Sequence, residues 1–182
     1  MENHEKEAGF KETNISLVLS SYDGIFSDFD PRSYSERALS VDFLDEAKRA
    51  SRDKVTGEIE LNLLIQRQKR SLKEESMIKK RIKEHFKKHF HELKNEKTKV
   101  IKNGLIFSFC GIMLMIIATI LIFEGYEKTL LITFLIVIME PGGWFLFWEG
   151  LNLVIFESKT REPDLSFYKK MSQAVIRFTS YR

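Results

Sequence analysis

Cysteine is almost absent from this 182-residue chain. The single residue, Cys110, excludes an intrachain disulfide and fits a reducing compartment. Proline occurs three times, and neither proline nor glycine occurs between Leu72 and Asn103, so nothing local interrupts a helix there. The first fourteen residues, MENHEKEAGFKETN, contain no apolar stretch, which argues against a cleavable signal peptide. No GxxxxGKS/T, GxSxG or CxxC pattern occurs, so phosphate-loop, nucleophile-elbow and dithiol chemistry lack a sequence basis. Neither an enzyme nor a cofactor is expected. Cations are missing from one long stretch: between Gly104 and Phe156 the only lysine or arginine is Lys128.

That stretch organises the chain. Gly104 to Phe123 is a run of twenty uncharged residues, and about 20 apolar residues cover the roughly 30 Å hydrocarbon core of a bilayer. Glu124 to Lys128 reverse the chain, and Thr129 to Phe156 is apolar again except at Glu140, Pro141-Gly142-Gly143 and Glu149. Two membrane-crossing helices joined by a short turn are therefore expected. The net charge of +3 hides three zones: residues 1–66 hold 8 Lys/Arg against 14 Asp/Glu, residues 67–102 hold 14 against 5, and residues 103–182 hold 7 against 7. The basic zone ends where the first span begins, with Lys94, Lys97, Lys99 and Lys102 just before it. The positive-inside rule then puts both termini in the cytoplasm and the turn outside.

Outside the hairpin, Thr13 to Ser20 alternates with Ile15, Leu17 and Leu19 on one side, the period of a half-buried strand. Tyr22 to Tyr34 is a loop in which Ile25, Phe26 and Phe29 are expected to act as apolar anchors. Ser40 is placed to cap a helix carrying Asp42, Phe43, Leu44, Ala47 and Ala50, which should end near Asp53, before Gly57. Glu58 to Ile65 alternates as a second strand, with Ile59, Leu61, Leu63 and Ile65 on one face. From Leu72, Ile78, Ile82, Phe86, Phe90 and Leu93 form the apolar stripe of a long basic helix that can run into the first span as one rod of roughly 50 residues. After the second span, Pro163 opens a helix with Leu165, Tyr168, Met171 and Ser172 on one side, and Ala174 to Tyr181 is a third strand.

The segments YDGIFSDFDPRSYSERALSVDFLDEAKR, the basic helix, EPGGWFLFWEGL and FYKKMSQAVIRF resemble a set of small prokaryotic two-span membrane proteins. The resemblance covers most of the chain and implies architecture alone, with no activity or site residue to carry over. The expected fold is an α+β membrane protein, a transmembrane helical hairpin plus a small split cytosolic α/β domain of about three strands and two to three helices. Residues 1–12 are expected to be disordered, 13–102 to form the first cytosolic part, 103–156 the hairpin (spans 104–123 and 129–150), and 157–182 the part that completes the cytosolic domain.

Glu140 is the sharpest anomaly, because it falls near mid-bilayer, where an ionised carboxylate is costly. Pro141, Gly142 and Gly143 beside it should loosen the helix. One reading is a polar gap for a proton, a cation or a pore. The other is a protonated Glu140 that caps broken backbone or bonds to a neighbouring helix, with Gly111 allowing close approach. Glu149 lies level with Lys102 at the inner interface, beside Trp144 and Trp148, and suits an ion pair with Lys99 or Lys102. Asp23, Asp28 and Asp30 form a weak divalent-cation pattern that pairing with Arg32 and Arg37 explains as well, so no metal is expected. His85 and His89 are one turn apart with His91 nearby, but they lack the glutamate of HExxH and read as surface histidines. The lysine block beside a span favours anionic lipid headgroups over nucleic acid. A membrane-anchored interaction or sensing module, self-associating and with a cytosolic protein partner, is the preferred expectation; the alternative is a homo-oligomeric pore lined by Glu140.

Overall fold

Strand β1 (Asn14–Leu19) buries Ile15, Leu17 and Leu19 and turns the alternate residues outward. Strand β2 (Glu60–Gln66) does the same with Leu61, Leu63 and Ile65, following the buried Ile59. The two pair in parallel, a geometry that requires a crossover, and helix α1 (Val41–Arg52) supplies it. The Ser40 hydroxyl accepts a 3.3 Å hydrogen bond from the Phe43 N–H at the start of α1. Strand β3 (Val175–Tyr181) lies on the other side of β2, also parallel, so that Leu17, Leu63 and Phe178 line up across the sheet. Between β2 and β3 run helices α2 (Leu72–Phe123), α3 (Leu130–Asn152) and α4 (Glu162–Gln173).

The computed structural model describes residues 14–52, 59–125 and 129–181. Among these the chain is α+β, with four principal helices and one three-stranded parallel sheet. The expected disordered segment 1–12, the strand starts at Thr13 and Glu58, and Tyr126 to Lys128 of the turn lie outside the described residues. Two compact units result: Met1–His91 with Asp164–Arg182, and Glu92–Pro163.

In the first unit, Phe43 and Ala47 of α1, Ile78, Ile82 and Phe86 of α2, and Phe167 and Met171 of α4 pack on the Ile15, Leu17, Leu61, Leu63 face of the sheet as one core. Among the described residues, helices cover that face alone. Ser16, Val18, Arg177 and Thr179 on the opposite face are exposed. Two expectations are corrected here. Phe29 is 97% exposed and anchors nothing, because Phe26, stacked on Tyr34 at 5.1 Å, already fills the space under the loop. On α4 the buried residues are the expected Met171 and, in addition, Phe167, which meets Phe86 edge to face at 5.7 Å, while Leu165 and Ser172 are half-buried.

In the second unit, α2 and α3 carry the two stretches long and apolar enough to cross a membrane. Helix α2 is one element of 52 residues, an arrangement that the absence of glycine and proline before Asn103 permits. Helix α3 passes Pro141 without a break, contrary to the loosening expected at Pro141-Gly142-Gly143. One proline removes one backbone donor, and the bonds on either side carry the helix through. The irregularity comes later, as a π-helical turn at Leu153–Glu157, after which the helix continues to Thr160.

Glycine sets how the two helices meet. Gly104 and Gly111 on α2, seven residues apart, are buried against Gly150 and Gly143 on α3, also seven apart. A methyl group on Gly111 would come 2.5 Å from both the Gly143 carbonyl oxygen and the Phe147 nitrogen. Ala118 and Ile136, both buried, continue the same spacing, the repeat of a left-handed helix pair. Gly142 differs, with nothing within 4 Å of the position a methyl would take. Gly111→Ala is therefore expected to destabilise the protein by about 1–3 kcal/mol through overpacking. Gly142→Ala should be neutral or stabilising by up to about 1 kcal/mol, through helix propensity. Thermal unfolding of both variants in a mild detergent checks the contrast.

Candidate functional site

Helix α3 presents two distinct faces. Ile136, Gly143 and Gly150 face inward on the pair, and the Ser108 hydroxyl of α2 donates to the Phe147 carbonyl at 3.5 Å. Glu140, near the middle of α3, is exposed, as are Pro141, Val137 and Trp144. Among the described residues the Glu140 carboxyl has no hydrogen bond or ion pair. Gly143 is packed inside while Glu140 and Pro141 face out, so the four residues read together in the sequence do not line one gap. Trp144 and Trp148, both exposed, stack with ring centroids 6.3 Å apart and planes 17° from parallel. In hydrocarbon an ionised Glu140 costs from about 3 to more than 10 kcal/mol. The sequence reading gave Gly111 its close approach but missed Gly104, Ser108 and Gly150, although the seven-residue glycine spacing on both helices was there to find.

At the other end of these helices, Arg161 pairs with Glu96 at 2.5 Å and Lys97 pairs with Glu162. Glu149 is half-buried and Lys102 exposed, and no ion pair joins them among the described residues. Of the four lysines expected to meet lipid headgroups, Lys97 is thus engaged, while Lys94, Lys99 and Lys102 are exposed and without an ion pair among the described residues.

In the first unit the acidic loop is held by arginines. Arg37 lies 2.8 Å from Asp23 and 3.9 Å from Asp28, Arg32 lies 2.7 Å from Asp30, and the Tyr34 hydroxyl donates to Asp23 at 3.1 Å. The Arg32 guanidinium holds the Asp30 carboxyl well below the usual range. No group of three or more metal-ligating side chains exists among the described residues.

A second polar network escaped the sequence reading. Glu75, 3% exposed, accepts two bonds from Arg70, at 2.8 and 3.0 Å, and one from the Tyr22 hydroxyl at 3.1 Å. Arg70 lowers the Glu75 pKa, and the Ser71 N–H donates to Tyr22 at 2.9 Å, tying the start of α2 to the end of β1.

The histidines are also placed differently from expectation. His85 and His89 are half-buried rather than on the surface, with rings 4.3 Å apart and both against Tyr168 of α4. His85 Nε2 is buried without a hydrogen-bond partner, and burial followed by the neighbouring His89, Arg81 and Lys88 charges pushes its pKa down to about 4. His91 instead contacts the Lys87 carbonyl of its own helix at 2.7 Å.

No protein-family model, curated protein or solved structure matches this chain.

The His85 environment makes a pH prediction. Its folded pKa of about 4 lies below the unfolded value of 6.5, so between those values the unfolded chain binds the extra proton. Stability from this residue is full above pH 6.5 and is lost as pH falls towards 4, by on the order of 2 kcal/mol. His85→Leu should remove that part of the acid sensitivity. Unfolding curves of both proteins from pH 7 to 4 check it: the stability difference should shift in favour of the variant as the pH falls.

Proposed function

We propose that this chain is a two-pass integral protein of the cell membrane that presents its α/β unit to the cytoplasm as an interaction or sensing module. The observation that carries this reading is the parallel pairing of β2 with β3. Both apolar helices lie between these strands, so the chain must leave and return on the same side, which two crossings accomplish. The apolar windows of the two helices are only 17% and 11% buried within the chain, far too exposed for core helices of a water-soluble protein. Lys94, Lys99 and Lys102 favour the cytoplasmic leaflet, where each contributes up to about 1 kcal/mol with anionic headgroups.

The sheet supports an interaction role. Parallel sheets are usually covered on both faces, and among the described residues this one has a helical layer on one face only. Such a module would act by meeting a cytosolic protein, and no reaction is assigned to it. The alternative, a pore of broken second helices, draws less support because α3 is continuous past Pro141.

Cysteine accessibility tests the topology in a Cys110→Ser background. Glu124→Cys in the turn should react with a membrane-impermeant maleimide on intact cells. Lys94→Cys and Thr179→Cys should react only after permeabilisation. Labelling of Lys94→Cys and Thr179→Cys from opposite sides would contradict the two-pass reading.

A further inference from the structure

We propose that the Glu140 face of α3 is where a second copy of this chain docks, with the two Glu140 carboxyl groups hydrogen-bonded to each other. The inference rests on the two-pass reading above. Thr133, Val137, Glu140 and Trp144 follow one another at four, three and four residues, the seam spacing of a packed helix pair, and all four are exposed. The face towards α2 is already occupied through Gly143 and Gly150. The seam is therefore a second packing surface, with a carboxyl group at its centre.

Chemistry selects the occupant. Every copy inserted in the membrane has the same orientation, so a two-fold axis beside the seam sets Glu140 opposite Glu140. Self-pairing across such an axis needs a group that both donates and accepts, and a neutral carboxyl group does. No cation occurs between Gly104 and Phe156 except Lys128 of the turn, so the spans of another copy offer no opposite charge. Three span hydroxyls already give their one proton to backbone, Ser108 to Phe147, Thr119 to Met115 and Thr133 to Thr129, and so can only accept. Another Glu140 is the partner of matching chemistry.

The test is oxidative cross-linking of the full chain in native membranes, in a Cys110→Ser background. Val137→Cys and Trp144→Cys should give disulfide-linked dimers, and Leu135→Cys, away from the seam, should not. Adding Glu140→Leu should cut the Val137→Cys dimer at least fivefold, whereas Glu140→Gln, whose amide also donates and accepts, should preserve it. Equal cross-linking from Leu135→Cys, indifference to Glu140→Leu, or a product containing another protein would each overturn the proposal. Alkaline carbonate extraction separates the two levels of inference. A chain released from the membrane overturns the two-pass reading and the dimer with it. A retained chain that gives no Val137→Cys dimer overturns the dimer alone, and retention of the Glu140→Leu variant shows that its effect is not failed insertion.

Discussion

The hydrogen bonds between β2 and β3 join stretches of chain that lie, in sequence, on either side of both long apolar helices. Residues Glu60–Gln66 precede both long helices and Val175–Tyr181 follow them, yet the two run parallel in register from Glu60 opposite Val175 to Gln66 opposite Tyr181. Closing so long a loop costs little more entropy than closing a short one, since the cost grows only with the logarithm of its length. The pairing of α2 with α3 reduces it further, because the antiparallel hairpin returns the chain, with Gly150 packed on Gly104. β3 is exposed at Val175, Arg177 and Thr179 but holds Phe178 in the core, so the last strand is fixed by one deep side chain and a ladder of backbone bonds.

Packing follows different rules in the two units. The sheet unit is held by burial: Leu61, Leu63, Ile65, Ile78, Ile82 and Phe86 are wholly buried, and each contributes about 1.5–3 kcal/mol of transfer energy before entropy is subtracted. The helix pair has no such source if lipid surrounds it, because acyl chains are as apolar as leucine. Its cohesion comes instead from close backbone approach at Gly104, Gly111, Gly143 and Gly150. A polar side chain left outside that contact, as Glu140 is, has large energetic consequences in the same surroundings.

Much of this was legible in the sequence, and where it was not the reasons are physical. Period-two alternation located β1 and β2, where every second residue is buried, and the described ends of the three strands fall within two residues of those expected. The Ser40 cap followed from local chemistry, and the lack of glycine and proline allowed an uninterrupted α2 without requiring it. The expected break at Pro141 failed because a proline's effect on a helix depends on neighbouring hydrogen bonds and packing, which are tertiary. Phe29 and Phe167 were misjudged because hydrophobicity shows that a residue can be buried, and competition for space decides which one is. The Tyr22, Arg70 and Glu75 network joins residues 53 apart in sequence, beyond the reach of any local pattern. His85 looked like a surface residue on a basic helix, and Tyr168 of α4 covers it. The Glu140 anomaly was visible at once, but which way the carboxyl group faces was not.

The claim on which the account turns is that the two ends of the chain share one sheet across the hairpin. Asn62 and Arg177 are register partners on the uncovered face, so cysteines at both positions, in a Cys110→Ser background with a protease site inserted after Gly125, report on it directly. Bridging the pair in membranes with a short bifunctional thiol reagent and then cutting at the inserted site should leave the two halves joined on a denaturing gel. Halves that separate after bridging and cutting would show that β3 does not lie beside β2, and would contradict the shared sheet and the paired crossings inferred from it.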